Sequence, residues 1–225
     1  MADSRDRELR TISIPPVGLE GTLALPDAAT GLILFAHGSG SSRFSPRNNH
    51  VAGALRAAGL GTLLFDLLVP EEAADRANVF DIGLLASRLA QATAWARAEP
   101  ATARLPLGYF GASTGAAAAL VAAAEEGGIG AVVLRGGRPD LAGPALERVG
   151  APTLLIVGGA DPDVLALNRR ALARLRCIKA LEVVSGATHL FEEPGTLEAV
   201  VEHARRWFLT HLTGPAAAAA ARLSP

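Results

Sequence analysis

The stretch Leu107-Gly-Tyr-Phe-Gly-Ala-Ser113-Thr-Gly-Ala-Ala-Ala-Ala-Leu120 sets a short apolar run against a glycine-bracketed serine and an alanine-rich segment. The run Leu107–Phe110, bounded by glycine and proline, reads as a buried strand, and the alanines read as a helix over Thr114–Glu125. Between them, Gly111-Ala112-Ser113-Thr114-Gly115 must turn the chain sharply. Such a turn crowds backbone against backbone, so small residues are needed two positions either side of the serine. Its hydroxyl is then lifted into a cleft, facing the unpaired N–H groups and partial positive charge of the helix's first turn.

Working outward, further strand-like runs occur at Thr11–Ile14, Thr22–Leu25, Leu32–Ala36, Thr62–Phe65, Ala131–Leu134, Thr153–Val157 and Leu181–Val184. Helical stretches alternate with them from the third onward, over Asn48–Ala58, Asn78–Ala98, Asp163–Arg176 and Thr196–His211. This alternation predicts an α/β architecture: a doubly wound, mostly parallel sheet of about eight strands with right-handed crossovers. The first two runs are too close for a helical crossover and read as an antiparallel hairpin at the sheet's edge. The 225 residues fit one domain over 1–213, and the alanine-rich tail over 214–225 is set aside as outside the fold.

Hydrophobic residues make up 50% of the chain and charged residues 19%, which is the balance of a packed globular protein. A formal net charge of -1 provides no overall field to attract nucleic acid or an anionic membrane. The single cysteine, Cys177, allows neither an intrachain disulfide nor a thiol cluster for zinc. The charged N-terminus does not read as a secretory signal, no apolar run is long enough to span a bilayer, and the expected location is cytoplasmic. The oligomeric state is not legible.

A serine hydroxyl needs a base, and His189 follows the last strand in Gly186-Ala187-Thr188-His189. The other helix-borne histidines, His50, His203 and His211, read as surface or packing residues, and His37 as a brace for its loop. An imidazole acting as base needs a carboxylate to fix its tautomer; Asp161, after the strand Thr153–Val157, is the candidate. Asp163 two residues on reads as the cap of the next helix. The glycine-rich loop His37-Gly38-Ser39-Gly40 and the turn after Ser113 predict an oxyanion hole formed by the backbone N–H groups of Ser39 and Thr114. That loop has neither the Gly-x-Gly-x-x-Gly nor the Gly-Lys-Ser/Thr pattern of a phosphate cradle. Arg43, Arg47, Arg135 and Arg138 fall on expected loops or helix starts near the same edge and are candidate contacts for an anionic substrate.

These four segments, at His37, Ser113, Asp161 and His189, resemble those of the α/β-hydrolase superfamily, and in particular its dienelactone hydrolase-like branch, over roughly residues 20–212. The resemblance implies an acyl-enzyme route to the hydrolysis of esters, with thioesters and lactones as alternatives, and neither metal nor organic cofactor. Dienelactone hydrolase proper uses a cysteine where this chain has Ser113. Related domains also occur joined to phosphoribosyltransferase domains, but no such sequence is present here. Only Arg135–Gly150 separates two strands where many relatives insert a helical cap, so little or no cap and an open cleft for a small-molecule ester are expected. A catalytically silent binding protein of the same fold is the contrasting reading.

Overall fold

The computed structural model describes residues 9–212; the predicted tail at 214–225 lies outside them. The chain order is β1 (Arg10–Ile14), β2 (Leu19–Ala24), β3 (Leu32–Ala36), α1 (Pro46–Ala57), β4 (Gly61–Phe65), α2 (Pro70–Ala73), α3 (Arg76–Phe80) and α4 (Ile82–Ala98). There follow β5 (Leu107–Ala112), α5 (Thr114–Glu125), β6 (Ile129–Arg135), a kinked 3₁₀ segment (Pro139–Arg148), β7 (Thr153–Gly158), α6 (Pro162–Arg174), β8 (Lys179–Val184) and α7 (Thr196–Leu212).

The strands form one eight-stranded sheet in the order β1-β2-β4-β3-β5-β6-β7-β8. β2 pairs antiparallel with both β1 and β4, and every later pairing is parallel. Alternate residues of β3 enter opposite cores: Leu32, Leu34 and Ala36 pack with Leu63, Tyr109, Leu89 and Leu120 on one side. On the other, Ile33 and Phe35 pack with Phe110 of β5 and with Val51, Leu55 and Phe208 from α1 and α7. Covered on both faces, these strands can be continuously apolar.

Because β3 lies between β4 and β5, the chain order reverses there. A crevice therefore opens at the carboxyl ends of β3 and β5, where ligands gather in open parallel sheets. Those two ends carry the His37 loop and Ser113.

Local boundaries differ from expectation in two places. The helix expected over Asn78–Ala98 breaks at Asp81, whose backbone leaves the helical region while its side chain accepts a bond from Leu84 N and so caps α4. Asp163 is not the cap of α6; Asp161 is, accepting from Val164 N at 3.5 Å, with Pro162 in the first turn. Between β6 and β7 there is only the short 3₁₀ segment and no multi-helix lid.

Candidate active site

Ser113 sits between β5 and α5 with φ 51° and ψ -121°, a backbone conformation that a residue with a side chain adopts at a cost of about 1–3 kcal/mol. The strain is held by close packing. A Cβ on Gly115 would lie 2.2 Å from Ala36 O and 2.4 Å from His37 O, so the end of β3 touches the start of α5 backbone to backbone. A Cβ on Gly38 would lie 2.8 Å from Ser113 Cβ, so only glycine lets the His37 loop run beside the serine.

That loop is pinned from below. His37 Nε2 accepts a bond from Leu67 N at 3.1 Å, which places the ring proton on Nδ1, 3.0 Å from Gly38 O. Burial pushes the His37 pKa below its ordinary value, so the neutral tautomer is the one held. Ser39 N donates to Thr114 Oγ1 at 2.9 Å, tying the loop to α5. Thr114, as the first residue of α5, has an N–H without a partner inside the helix.

His189 Nδ1 and Asp161 Oδ2 are 2.8 Å apart, linking the turn after β8 to the turn after β7. Asp161 thus serves two groups, the helix it caps and the imidazole. Ser113 and His189 line the same cleft of about 280 Å³, together with Gly38, Ser39, Ser41, Ser45, Arg47, Asn48 and Arg135. A larger cleft of about 560 Å³ adjoins it across the His37 loop and is walled by Val17, Leu68, Val69, Pro70, Val79 and Leu85, with Glu20, Asp66 and Glu71. The segment after Phe65 thus forms one wall of this larger cleft.

The four candidate arginines separate. Arg43 pairs with Asp66 and Glu20 and braces the loop. Arg138 forms a two-pronged pair with Asp140 at 2.8 and 2.9 Å, and does not line the serine's cleft. Arg47 and Arg135 do line it. Arg135 is not on a loop: it ends β6, paired with Ala112, and is buried. His50, His203 and His211 lie in α1 and α7, as expected. Among the described residues no group of three or more metal-ligating side chains is assembled, and no helix is long and apolar enough to cross a membrane.

Strand order, the strained serine turn and the loops at the carboxyl edge define the α/β-hydrolase superfamily, to which the chain belongs. No family model matches it. A dienelactone hydrolase from Anabaena variabilis is 56% identical, with a TM-score of 0.87 over 91% of this chain and 97% of that one. The chain is thus a member of that protein's family. Est1E from Butyrivibrio proteoclasticus shares the fold at 15% identity and a TM-score of 0.77, covering 90% of this chain and 99% of that one. Two Mycobacterium tuberculosis proteins, from strains CDC 1551 and H37Rv, carry the provisional name phosphoribosyl transferase and are 60% identical over 212 residues. These cover 94% of this chain but 48% of theirs, so the chain spans about half the length of the curated relatives it matches.

Proposed function

We propose that the protein is a serine hydrolase that cleaves small carboxylic esters through an acyl-enzyme on Ser113. The observation that carries the reading is the 2.8 Å bond between His189 Nδ1 and Asp161, made at the edge of the cleft that Ser113 enters. With Nδ1 committed to the carboxylate, Nε2 is the nitrogen left to take the serine proton.

In this mechanism Ser113 Oγ attacks the ester carbonyl as its proton passes to His189 Nε2. Asp161 stabilises the imidazolium and keeps it in register. The tetrahedral oxyanion is met by the N–H groups of Thr114 and Ser39. Ser39 N–H currently donates to Thr114 Oγ1 and exchanges that partner for the stronger, charged acceptor. Each such donor is worth about 2.7–4 kcal/mol of activation free energy. The imidazolium then protonates the departing alcohol, and water repeats the cycle on the acyl-enzyme.

Lactone hydrolysis is the second reading, favoured by the 56% identity to a protein named dienelactone hydrolase, and it uses the same groups. The provisional name of the mycobacterial proteins is not carried over to this chain, which spans about half their length.

The test is hydrolysis of p-nitrophenyl acetate and butyrate, and of a simple lactone, by the protein and its Ser113→Ala variant at matched circular dichroism. Turnover that collapses in the variant supports the reading. Equal rates in both would overturn the nucleophile assignment and favour a binding protein.

A further inference from the structure

The cleft of about 560 Å³ has no part in the chemistry derived above, although it opens on the other side of the loop that supplies the Ser39 N–H. Gly38, Ser39 and Ser41 line both it and the cleft of about 280 Å³, so one backbone segment is their shared wall. The larger space lies within the range of about 300–1,000 Å³ usual for small-molecule sites, and the smaller falls just short of it. Its apolar surface is assembled from separate elements: Val17 in the β1–β2 turn, Leu68 and Val69 after β4, Val79 in α3 and Leu85 in α4.

The charge of the larger cleft is one-sided. Glu20, Asp66 and Glu71 face a single cation, Arg43, which is already paired with Asp66 and Glu20, and burial keeps His37 neutral. The exposed carboxylate of Glu71 has no hydrogen-bond donor or cation beside it among the described residues. The small cleft has the opposite character, with Arg47 and Arg135 on its wall and no acidic residue among those that line it. An ammonium group is therefore repelled from the small cleft and drawn to the large one.

His189 decides which part of an ester enters which cleft. The nitrogen that takes the serine proton must return it to the departing oxygen, so the alcohol leaves on the histidine's side. His189 lines the small cleft and not the large one. With the oxyanion against Ser39 and Thr114 and the alcohol toward His189, the acyl chain is the substituent left to pass over Ser39 and Ser41 into the larger cleft. We propose that the larger cleft is the acyl site and that it selects apolar acyl chains ending in an ammonium group, held beside Glu71; this rests on the hydrolase reading above. A carboxylate-ended chain of the same length meets Glu20, Asp66 and Glu71 there and is rejected.

The test follows proton release from methyl propanoate, methyl heptanoate, methyl 6-aminohexanoate and monomethyl adipate, the last three of nearly equal length. The expected kcat/KM is at least tenfold higher for heptanoate than for propanoate, since each buried methylene adds roughly fourfold. It should also be at least tenfold higher for 6-aminohexanoate than for adipate. Glu71→Gln should lower this second ratio by about threefold or more. Ala73→Trp, which sets a ring into the cleft from an exposed position of α2, should lower the first by about fivefold or more. Each ratio is taken within one preparation, so any unfolded fraction cancels. Titration calorimetry on Ser113→Ala reads the site without turnover: heptylammonium should bind more tightly than heptanoate, and more weakly once Glu71→Gln is added. Hydrolysis of all these esters at similar rates would overturn the acyl site while leaving the hydrolase intact. A chain-length preference with 6-aminohexanoate and adipate alike, or a second ratio unmoved by Glu71→Gln, would overturn the ammonium assignment. Heptylammonium binding that Glu71→Gln weakens, with no ester hydrolysed by the wild type, would uphold the site and overturn the hydrolase. Neither binding nor hydrolysis would overturn both.

Discussion

Replacing Asp161 by asparagine separates its two roles. Asp161 accepts from His189 Nδ1 at 2.8 Å through Oδ2 and from Val164 N at 3.5 Å through Oδ1. An asparagine retains one oxygen for the cap, and asparagine and aspartate cap helices about equally well, so stability should change by no more than about 0.5 kcal/mol. For a domain of this size that is a Tm shift of at most about 2 °C. The amide nitrogen, however, now faces His189 Nδ1 as a donor. The imidazole must accept there and carry its proton on Nε2, where it can no longer receive one from Ser113. The same change in a serine protease triad costs about 10⁴ in kcat, and a loss of that order is expected here. Asp161→Ala removes the cap as well, adding a destabilisation of about 1 kcal/mol or a Tm loss of about 2–4 °C. The assay is kcat/KM for p-nitrophenyl acetate beside differential scanning fluorimetry on the same preparations. Activity within tenfold of wild type in Asp161→Asn would refute the tautomer reasoning. Equal Tm losses for asparagine and alanine would refute the cap.

Gly115→Ala drives a methyl group into the carbonyls of Ala36 and His37, 2.2 and 2.4 Å from its ideal position, and neither backbone can retreat without parting β3 from α5. A loss of about 3 kcal/mol or more, seen as a Tm fall of about 6 °C or more, is expected by calorimetry. His37 makes the fold acid-sensitive. Burial holds its folded-state pKa below the unfolded value of 6.5, so the unfolded chain binds the extra proton first. The contribution is complete above pH 6.5 and is lost as pH falls below it, at up to about 1.4 kcal/mol per unit, until the folded value is reached. Urea unfolding of wild type and His37→Gln above and below pH 6.5 should show the steeper acid loss in the wild type, and parallel slopes would disprove it.

The sheet was legible because β3 and β7 are covered on both faces and so are continuously apolar, while the β1–β2 hairpin declares itself by a connection too short for a crossover. Helix starts were less legible where two acidic residues compete. Asp161 precedes Pro162, and a proline favours the first helical position, a signal that would have named Asp161 rather than Asp163 as the cap. The break at Asp81 was hidden by apolar residues on both sides of it, although an aspartate ahead of a leucine-rich run is itself a capping signal.

At the candidate site, the residues that punctuate strand ends could be named because the topology sends every such end to one edge. The arginines could not be sorted. Whether a guanidinium is spent on a neighbour depends on tertiary partners such as Asp66, which lies 23 residues from Arg43 in the chain. Arg135 ends an apolar strand and looks like its polar terminus, but the folded chain buries it, with its guanidinium 5.9 Å from the Phe191 ring. Arg138 is the exception among the four, since its partner Asp140 lies only two residues further on.

The most direct measurement is intact-protein and peptide mass spectrometry after treatment with a fluorophosphonate, which traps a serine only when a base activates it and an oxyanion hole receives the phosphoryl oxygen. A single adduct on the peptide containing Ser113, absent in Ser113→Ala and strongly slowed in His189→Ala, is the predicted result. An unlabelled protein, or an adduct on any other residue, would contradict the assignment of Ser113 as the nucleophile.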